Sequence, residues 1–271
     1  MTGCPIQAGF WLEWAKPVTL LLALLISAPL VVAQTKTLRI AAAADLEPVL
    51  PPILATFEQQ TGIHAEASYK SSATLATEII NGAPFDLFLA ADTSFPQRVI
   101  DAGRAEESQP IFYGQGTLVL WTRNDSGLRD LSLGTLRSSV VHTIAIANPQ
   151  HAPYGRAAQA TLEHEHLYET VRSRLVIAEN IAQAAQYADS SNAQIGFISL
   201  TSALTPRLQH DGHFLAVPND DYPPLIQGAI VVRNAANAAA AHRFLDFLHT
   251  PAIVHTLTTR GLLPFASNST R

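Results

Sequence analysis

Four places in this chain put small or hydroxyl-bearing residues where a short apolar run gives way to a helical pattern. They are Ala43-Ala44-Asp45, Ser71-Ser72, Asn148–Gly155 and Asn180-Ile181. Such junctions could do binding chemistry, because the first N–H groups of a helix have no partner within it and carry a partial positive charge. Several converging on one cleft would hold an anion without lysine or arginine. Taken singly, each also reads as an ordinary cap, since Ser, Asp and Asn favour that position. Covalent chemistry has less support. The sequence has no Gly-x-Ser-x-Gly elbow, no Gly-x-x-x-x-Gly-Lys phosphate loop and no Gly-x-Gly-x-x-Gly fingerprint. Asp86 and Asp92 flank one apolar run, and Asp92 reads as the cap of the helix that follows. His164 and His166 form the tight pair among ten histidines. Residues i and i+2 of a helix face apart, so they make a poor metal clamp. His151 reads as a residue that shapes its own loop. No catalytic residue is assigned.

The elements that must position these junctions alternate in type. Leu38–Ala43, Ile63–Tyr69 and Asp86–Ala90 read as strands. Helical patterns follow them: Asp45 through Phe57 to Gly62, Ser71 through Ile79, and Thr93–Ala102. Pro51 and Pro52 fit badly in the first helix if Asp45 caps it, which implies a kink or a later start. A second set has strands at Gly116–Thr122, Thr143–Ala147, Leu175–Ile177, Ile195–Leu200 and Gly228–Arg233. Its helices fall at Arg156–His166, Ile181–Ala188, Ala236–Leu248 and Ala252–Thr259. This alternation predicts an α/β protein with mostly parallel sheets flanked by helices. Ligands of such sheets sit beyond the carboxyl ends of the strands.

Composition narrows the function classes. The 271 residues carry 17 Lys+Arg against 22 Asp+Glu, a net charge of −5, which excludes a broadly basic nucleic-acid binder. With 48% hydrophobic and 14% charged residues, the chain is not built to stay disordered. Its single cysteine, Cys4, excludes an internal disulfide and a cysteine-based zinc site. Residues 17–33 read PVTLLLALLISAPLVVA after Lys16, the pattern of a secretory signal peptide spanning 1–33 and cleaved after Ala33. Ser27 and Pro29 interrupt the run, which falls short of the ~20 apolar residues of a spanning helix. The mature chain then starts at Gln34 and is exported.

Six segments add a resemblance. Ala41–Leu46 (AAAADL), Ser71–Leu75 (SSATL), Gly82–Asp92 (GAPFDLFLAAD), Asn148–Gly155 (NPQHAPYG), Glu179–Ala184 (ENIAQA) and Tyr222–Gly228 (YPPLIQG) keep the order and spacing of one family. Over about Leu38 to Phe265 the chain is similar to the molybdate-binding proteins of ABC import systems. The resemblance implies a two-lobed periplasmic binding protein fold, each lobe a mostly parallel sheet flanked by helices, joined by two crossover strands. Residues 34–117 with 223–271 would form lobe 1, and 118–222 lobe 2. Gly116–Thr122 and Gln227–Val232 fit the crossings. The oxyanion would sit between the lobes, held by neutral donors. Carried over by position, Ser72 supplies a hydroxyl with Ser71 beside it, and Tyr154 and Ile181 supply backbone N–H groups. Two positions depart from the family pattern. Asp45 stands where a serine is expected, and Ser199 stands where a tyrosine hydroxyl would come. The implied ligand set is therefore Asp45, Ser71, Ser72, Tyr154, Ile181 and Ser199, with Ser72, Tyr154 and Ile181 holding molybdate or tungstate. The resemblance also implies no cofactor, no nucleic acid, a monomer in the periplasm, and the membrane permease of an ABC importer as partner.

Asp45 is the sharper departure. An ionised carboxylate cannot donate to a dianion. At about 5 Å and an effective dielectric of about 20 the two would repel by roughly 7 kcal/mol. Three arrangements relieve this. The carboxylate turns away to cap its own helix at the Glu47 N–H, Lys70 neutralises it, or it accepts a proton carried by the ligand. The last would favour phosphate or arsenate, since a cleft made only of donors leaves hydrogen phosphate's proton without an acceptor, at a cost of about 1–3 kcal/mol. An exported α/β hydrolase or phosphatase is the alternative from another class.

Overall fold

The computed structural model describes residues 37–264; the leader expected at 1–33 lies outside them. Among the described residues ten strands form two five-stranded sheets. The first contains β1 (Leu38–Ala43), β2 (Ala65–Lys70), β3 (Leu87–Ala90), β4 (Ile111–Gly116) and, from late in the chain, β10 (Leu225–Val231), in the order β2-β1-β3-β10-β4. The second contains β5 (Leu118–Arg123), β6 (Ile144–Ala147), β7 (Leu175–Ala178), β8 (Ile195–Ser199) and β9 (Gly212–Ala216), in the order β7-β6-β8-β5-β9. Four of the five strands in each sheet run one way. The reversed strand is β10 in the first sheet and β5 in the second.

Burial follows position in the sheet. In β1 every residue but Arg39 is buried, as a strand covered on both faces requires. The edge strand β2 alternates, and polar Glu66, Ser68 and Lys70 share its sequence with Ala65, Ala67 and Tyr69. Helices α1 (Leu50–Thr61), α2 (Ser72–Ile80), α3 (Ser94–Asp101), α9 (Ala238–Leu248) and α10 (Pro251–Thr259) cover the first sheet. Phe57 of α1 meets Phe244 of α9 edge to face at 5.0 Å. Helices α4 (Pro153–His164), α5 (Tyr168–Val171), α6 (Ile181–Asp189), α7 (Leu200–Ala203) and α8 (Pro206–Asp211) accompany the second. Among the described residues no helix is long and apolar enough to cross a membrane.

One local alternative is resolved and one expectation changes. A 3-10 turn over Ala44–Leu46 precedes α1, whose N-cap is Val49, so Pro51 and Pro52 fall in the first helical turn, where no intrahelical N–H bond is needed. This is the later start. The crossings between the sheets are also shorter than strands. β4 pairs with β10 up to Gly116, and β5 pairs with β8 from Leu118, which leaves Thr117 alone between them. Gln227–Val232 is no crossing, because Gln227 already pairs with Gly114 in the first sheet. The second crossing is the preceding segment, 217–224. The two crossings are tied together where the Leu118 N–H donates to the Tyr222 hydroxyl at 3.2 Å.

Candidate functional site

The three parallel strands of each sheet end at the same cleft. After β2, Ser71 caps α2 by accepting from the Thr74 N–H at 3.3 Å. After β7, Asn180 caps α6 by accepting from the Gln183 N–H at 3.0 Å. These caps satisfy the N3 donors and leave Ser72 and Ile181 at N1, where a helix offers its N–H no acceptor. After β6, Asn148 and His151 hold a tight loop, their side chains 3.4 Å apart. Helix α4 then begins with Pro153, three residues earlier than the sequence pattern placed it, with Tyr154 at N2. Gly155 is required there, because a Cβ would lie 2.3 Å from the Ala147 carbonyl oxygen.

A cavity of about 10 Å³ lies between these junctions, lined from one sheet by Ala43, Ala44, Lys70, Ser71 and Ser72 and from the other by Ala152, Pro153, Tyr154, Asn180 and Ile181. That is room for about one water-sized sphere, so the lobes are closed upon it. Several bonds cross the closure. The Ala73 N–H donates to the His151 carbonyl at 3.1 Å. Thr74 Oγ1 donates to Glu179 Oε1 at 3.4 Å. Arg156 pairs with Asp92, which also accepts from the Phe95 N–H at 3.2 Å; the N-cap of α3 is Thr93, one residue after the Asp92 that the sequence pattern pointed to. The Ser72 hydroxyl accepts from the Ala91 N–H at 3.1 Å, so its own proton is left to donate.

The structure thus brings Ser71, Ser72, Tyr154 and Ile181 together around one cavity, and sets Asp45 and Ser199 behind it. Ser199 caps α7 by accepting from the Ser202 N–H, and its hydroxyl bonds both Ser202 Oγ and Thr201 Oγ1. It is not among the lining residues. Asp45 is fully buried. Its Oδ2 accepts from the Tyr154 hydroxyl at 3.2 Å and from Gln227 Nε2, while its main-chain carbonyl accepts from Thr201 Oγ1 at 2.7 Å. Two of the expected ways to quiet its charge are overturned. The Glu47 N–H bonds the Ala44 carbonyl within the 3-10 turn, so it is not available to the Asp45 side chain. Lys70 points to Glu78, with Nζ 2.6 Å from Oε1.

Burial away from water raises the Asp45 carboxyl to about 6, against the opposing pull of its bonds from Gln227 and Tyr154. Among the described residues its Oδ1 has no hydrogen-bond partner, and neither does the neighbouring Gln227 Oε1. Both are acceptors, so a proton on Asp45 relieves the excess. The Tyr154 phenol is raised well above its ordinary value, by burial first and by the Asp45 charge second, and stays a donor. Gly116 makes room for it, since a Cβ would lie 2.2 Å from the Tyr154 hydroxyl oxygen.

Sequence reasoning missed Thr201 and Gln227. Thr201 carries no motif, and Gln227 stands out only as part of the segment Tyr222–Gly228. Their contacts to Asp45 span 156 and 182 residues of chain, beyond any spacing rule.

Two lobes joined by short crossings, with helix N-termini facing one another across a closed cleft, define a solute-binding protein. The chain belongs to the bacterial extracellular solute-binding protein family, whose model matches residues 38–263. It is 34% identical over 221 residues to the molybdate-binding protein ModA of Rhodobacter capsulatus, covering 82% of this chain and 86% of that one. It is 31% identical over 229 residues to ModA of Azotobacter vinelandii, covering 84% and 90%. The solved Azotobacter vinelandii periplasmic molybdate-binding protein superposes with a TM-score of 0.79 at 29% identity, over 84% of this chain and all of that one.

Proposed function

We propose that this protein captures a tetrahedral oxyanion, molybdate, outside the cytoplasm and delivers it to the membrane permease of an ABC importer. The observation that carries this reading is the convergence of three N-terminal helix N–H groups, at Ser72, Tyr154 and Ile181, on one cavity between the lobes. The Ser72 hydroxyl adds a donor, and Ser71 holds the start of α2 in place. Donors without a neighbouring free cation suit a fully deprotonated anion. Tungstate, close to molybdate in size, is expected to bind as well. Ser199 acts at one remove by holding Thr201, which fixes the main chain at Asp45.

Residues 34–117 with 223–271 and residues 118–222 are the two bodies that part and close. The anion favours closure because it contacts N–H groups from both bodies only when they are together. A dianion in the closed cleft raises the Asp45 carboxyl above the value of about 6 that burial gives it, so loading takes up a proton near neutral pH and the anion then meets no opposing charge. The protein works as a monomer in the periplasm after its leader is removed, with no catalytic step.

Titration calorimetry of the exported protein against molybdate, tungstate, sulfate and phosphate tests the reading. Saturable molybdate and tungstate binding without a sulfate or phosphate response is the expected result. Phosphate binding alone would overturn the choice of anion.

A further inference from the structure

A second group of ligating side chains lies at the second crossing, away from the cleft. Helix α4 ends at His164, Glu165 is its C-cap, and Asp221 closes the 3-10 turn Asn219–Asp221 in the segment that returns the chain to the first sheet. His164 Nδ1 stands 3.2 Å from Asp221 Oδ1 and 3.6 Å from Glu165 Oε1. One ligand atom from each of the three residues lies within 4.8 Å of the others. A tetrahedral ion with bonds of ~2.0–2.1 Å to nitrogen and oxygen holds its ligands roughly 3.3 Å apart, and the two observed separations bracket that spacing.

Asp221 supplies an independent observation. It is 7% exposed, and its Oδ2 is buried without a hydrogen-bond partner among the described residues. A His–Asp ion pair accounts for Oδ1 alone and leaves a buried carboxylate oxygen unsatisfied, which is costly. A cation held between the three side chains neutralises the charge of this buried carboxylate. His164 and Glu165 are open to solvent, with side chains 57% and 39% exposed, so an ion has a way in.

We infer that His164, Glu165 and Asp221 form a binding site for a divalent transition cation, Zn²⁺ by its donor set, with water completing the shell. One imidazole with two carboxylates suits zinc or cobalt better than calcium or magnesium, which prefer oxygen alone. The bound ion ties the C-terminal end of α4 to the crossing. This site is independent of the oxyanion reading.

The test is titration of the tag-free, chelator-stripped protein with ZnCl₂ in the absence of oxyanion, and with CoCl₂ read by visible absorption. Saturable binding of one ion and the absorption of four-coordinate cobalt are expected. His164→Gln, at an exposed position that should not disturb folding, weakens binding by at least roughly 10–100-fold, the loss that even an outer-shell partner brings. Glu165→Gln and Asp221→Asn weaken it too, whereas His166→Gln leaves it unchanged. Absence of saturable binding by either metal, or binding unaltered in His164→Gln, overturns the proposal.

Discussion

The two lobes share a frame and differ in what they hang on it. In each, three parallel strands stand beside a reversed strand that has just arrived from the other lobe, and the chain leaves by the strand beyond it. The junctions after β2 and β7 are near counterparts: a capping side chain, Ser71 or Asn180, followed by an N1 residue at the cavity. The junctions after β1 and β6 are not. One is a 3-10 turn that buries an acid, Asp45, and the other a loop and a proline-led helix that present Tyr154. The unmatched pair meets, hydroxyl to carboxylate, across the closure. The repeated frame therefore supplies backbone donors from both sides, and the side chains that break the repeat set charge and closure.

Three changes would break or sharpen that contrast. The largest effect is expected from Gly155→Ala, which puts a methyl group 2.3 Å from the Ala147 carbonyl, backbone against backbone. Overpacking of this kind costs about 1–3 kcal/mol and more where neither side can yield. Thermal unfolding should show a clear drop in Tm, and molybdate binding should fail with the displaced Tyr154. An unchanged Tm would mean that the second lobe's junction is not set by this contact.

Asp45→Asn comes next and isolates the first lobe's acid. The folded chain binds the Asp45 proton more tightly than the unfolded chain, with a carboxyl at about 6 against an ordinary 3.8. Its penalty is therefore absent below pH 3.8, grows as pH rises towards 6, and persists above, at ~3 kcal/mol as an upper bound. Asn at this position should raise the urea midpoint at pH 8 and flatten its decline between pH 4 and 6. Molybdate loading near pH 7 should take up a proton in the parent protein and none in the variant, read by calorimetry in buffers of different ionisation enthalpy. Equal pH slopes would show that the fold does not raise the Asp45 carboxyl.

Tyr154→Phe is the mildest. It removes one donor to the buried acid and leaves Gln227, a loss of roughly 1–2 kcal/mol in the closed form. Molybdate affinity should fall by about ten-fold. Because that bond favours the charged carboxylate, its removal should raise the Asp45 carboxyl further and move proton uptake to higher pH. A shift to lower pH would contradict the bond's direction.

How legible this was in the sequence depended on the range of the interaction. The strand at Leu38–Ala43 is legible residue for residue, because burial on both faces leaves a run that is apolar but for the exposed Arg39. The start of α4 was read three residues late, because a proline-led first turn looks like loop. β9, an edge strand with every second residue exposed or nearly so, left no pattern to read. Ser72, Tyr154 and Ile181 could be named because helix starts are local and the family resemblance fixed their order. In sequence His164 pairs with His166, two residues on, whereas its counterpart in space is Asp221.

Alternation of short apolar runs with capped helical segments determined, from the sequence alone, that helix N-termini would gather at the carboxyl ends of parallel strands. Chain chirality and backbone hydrogen bonding leave few other ways to arrange such elements. What the sequence could not decide was the state of Asp45. Read alone it was a cap, a partner of Lys70 or a proton acceptor. Its actual neighbours, Tyr154, Thr201 and Gln227, come from three distant parts of the chain. Burial is a property of the assembled lobes, and it is burial that raises an ordinary acid to about 6.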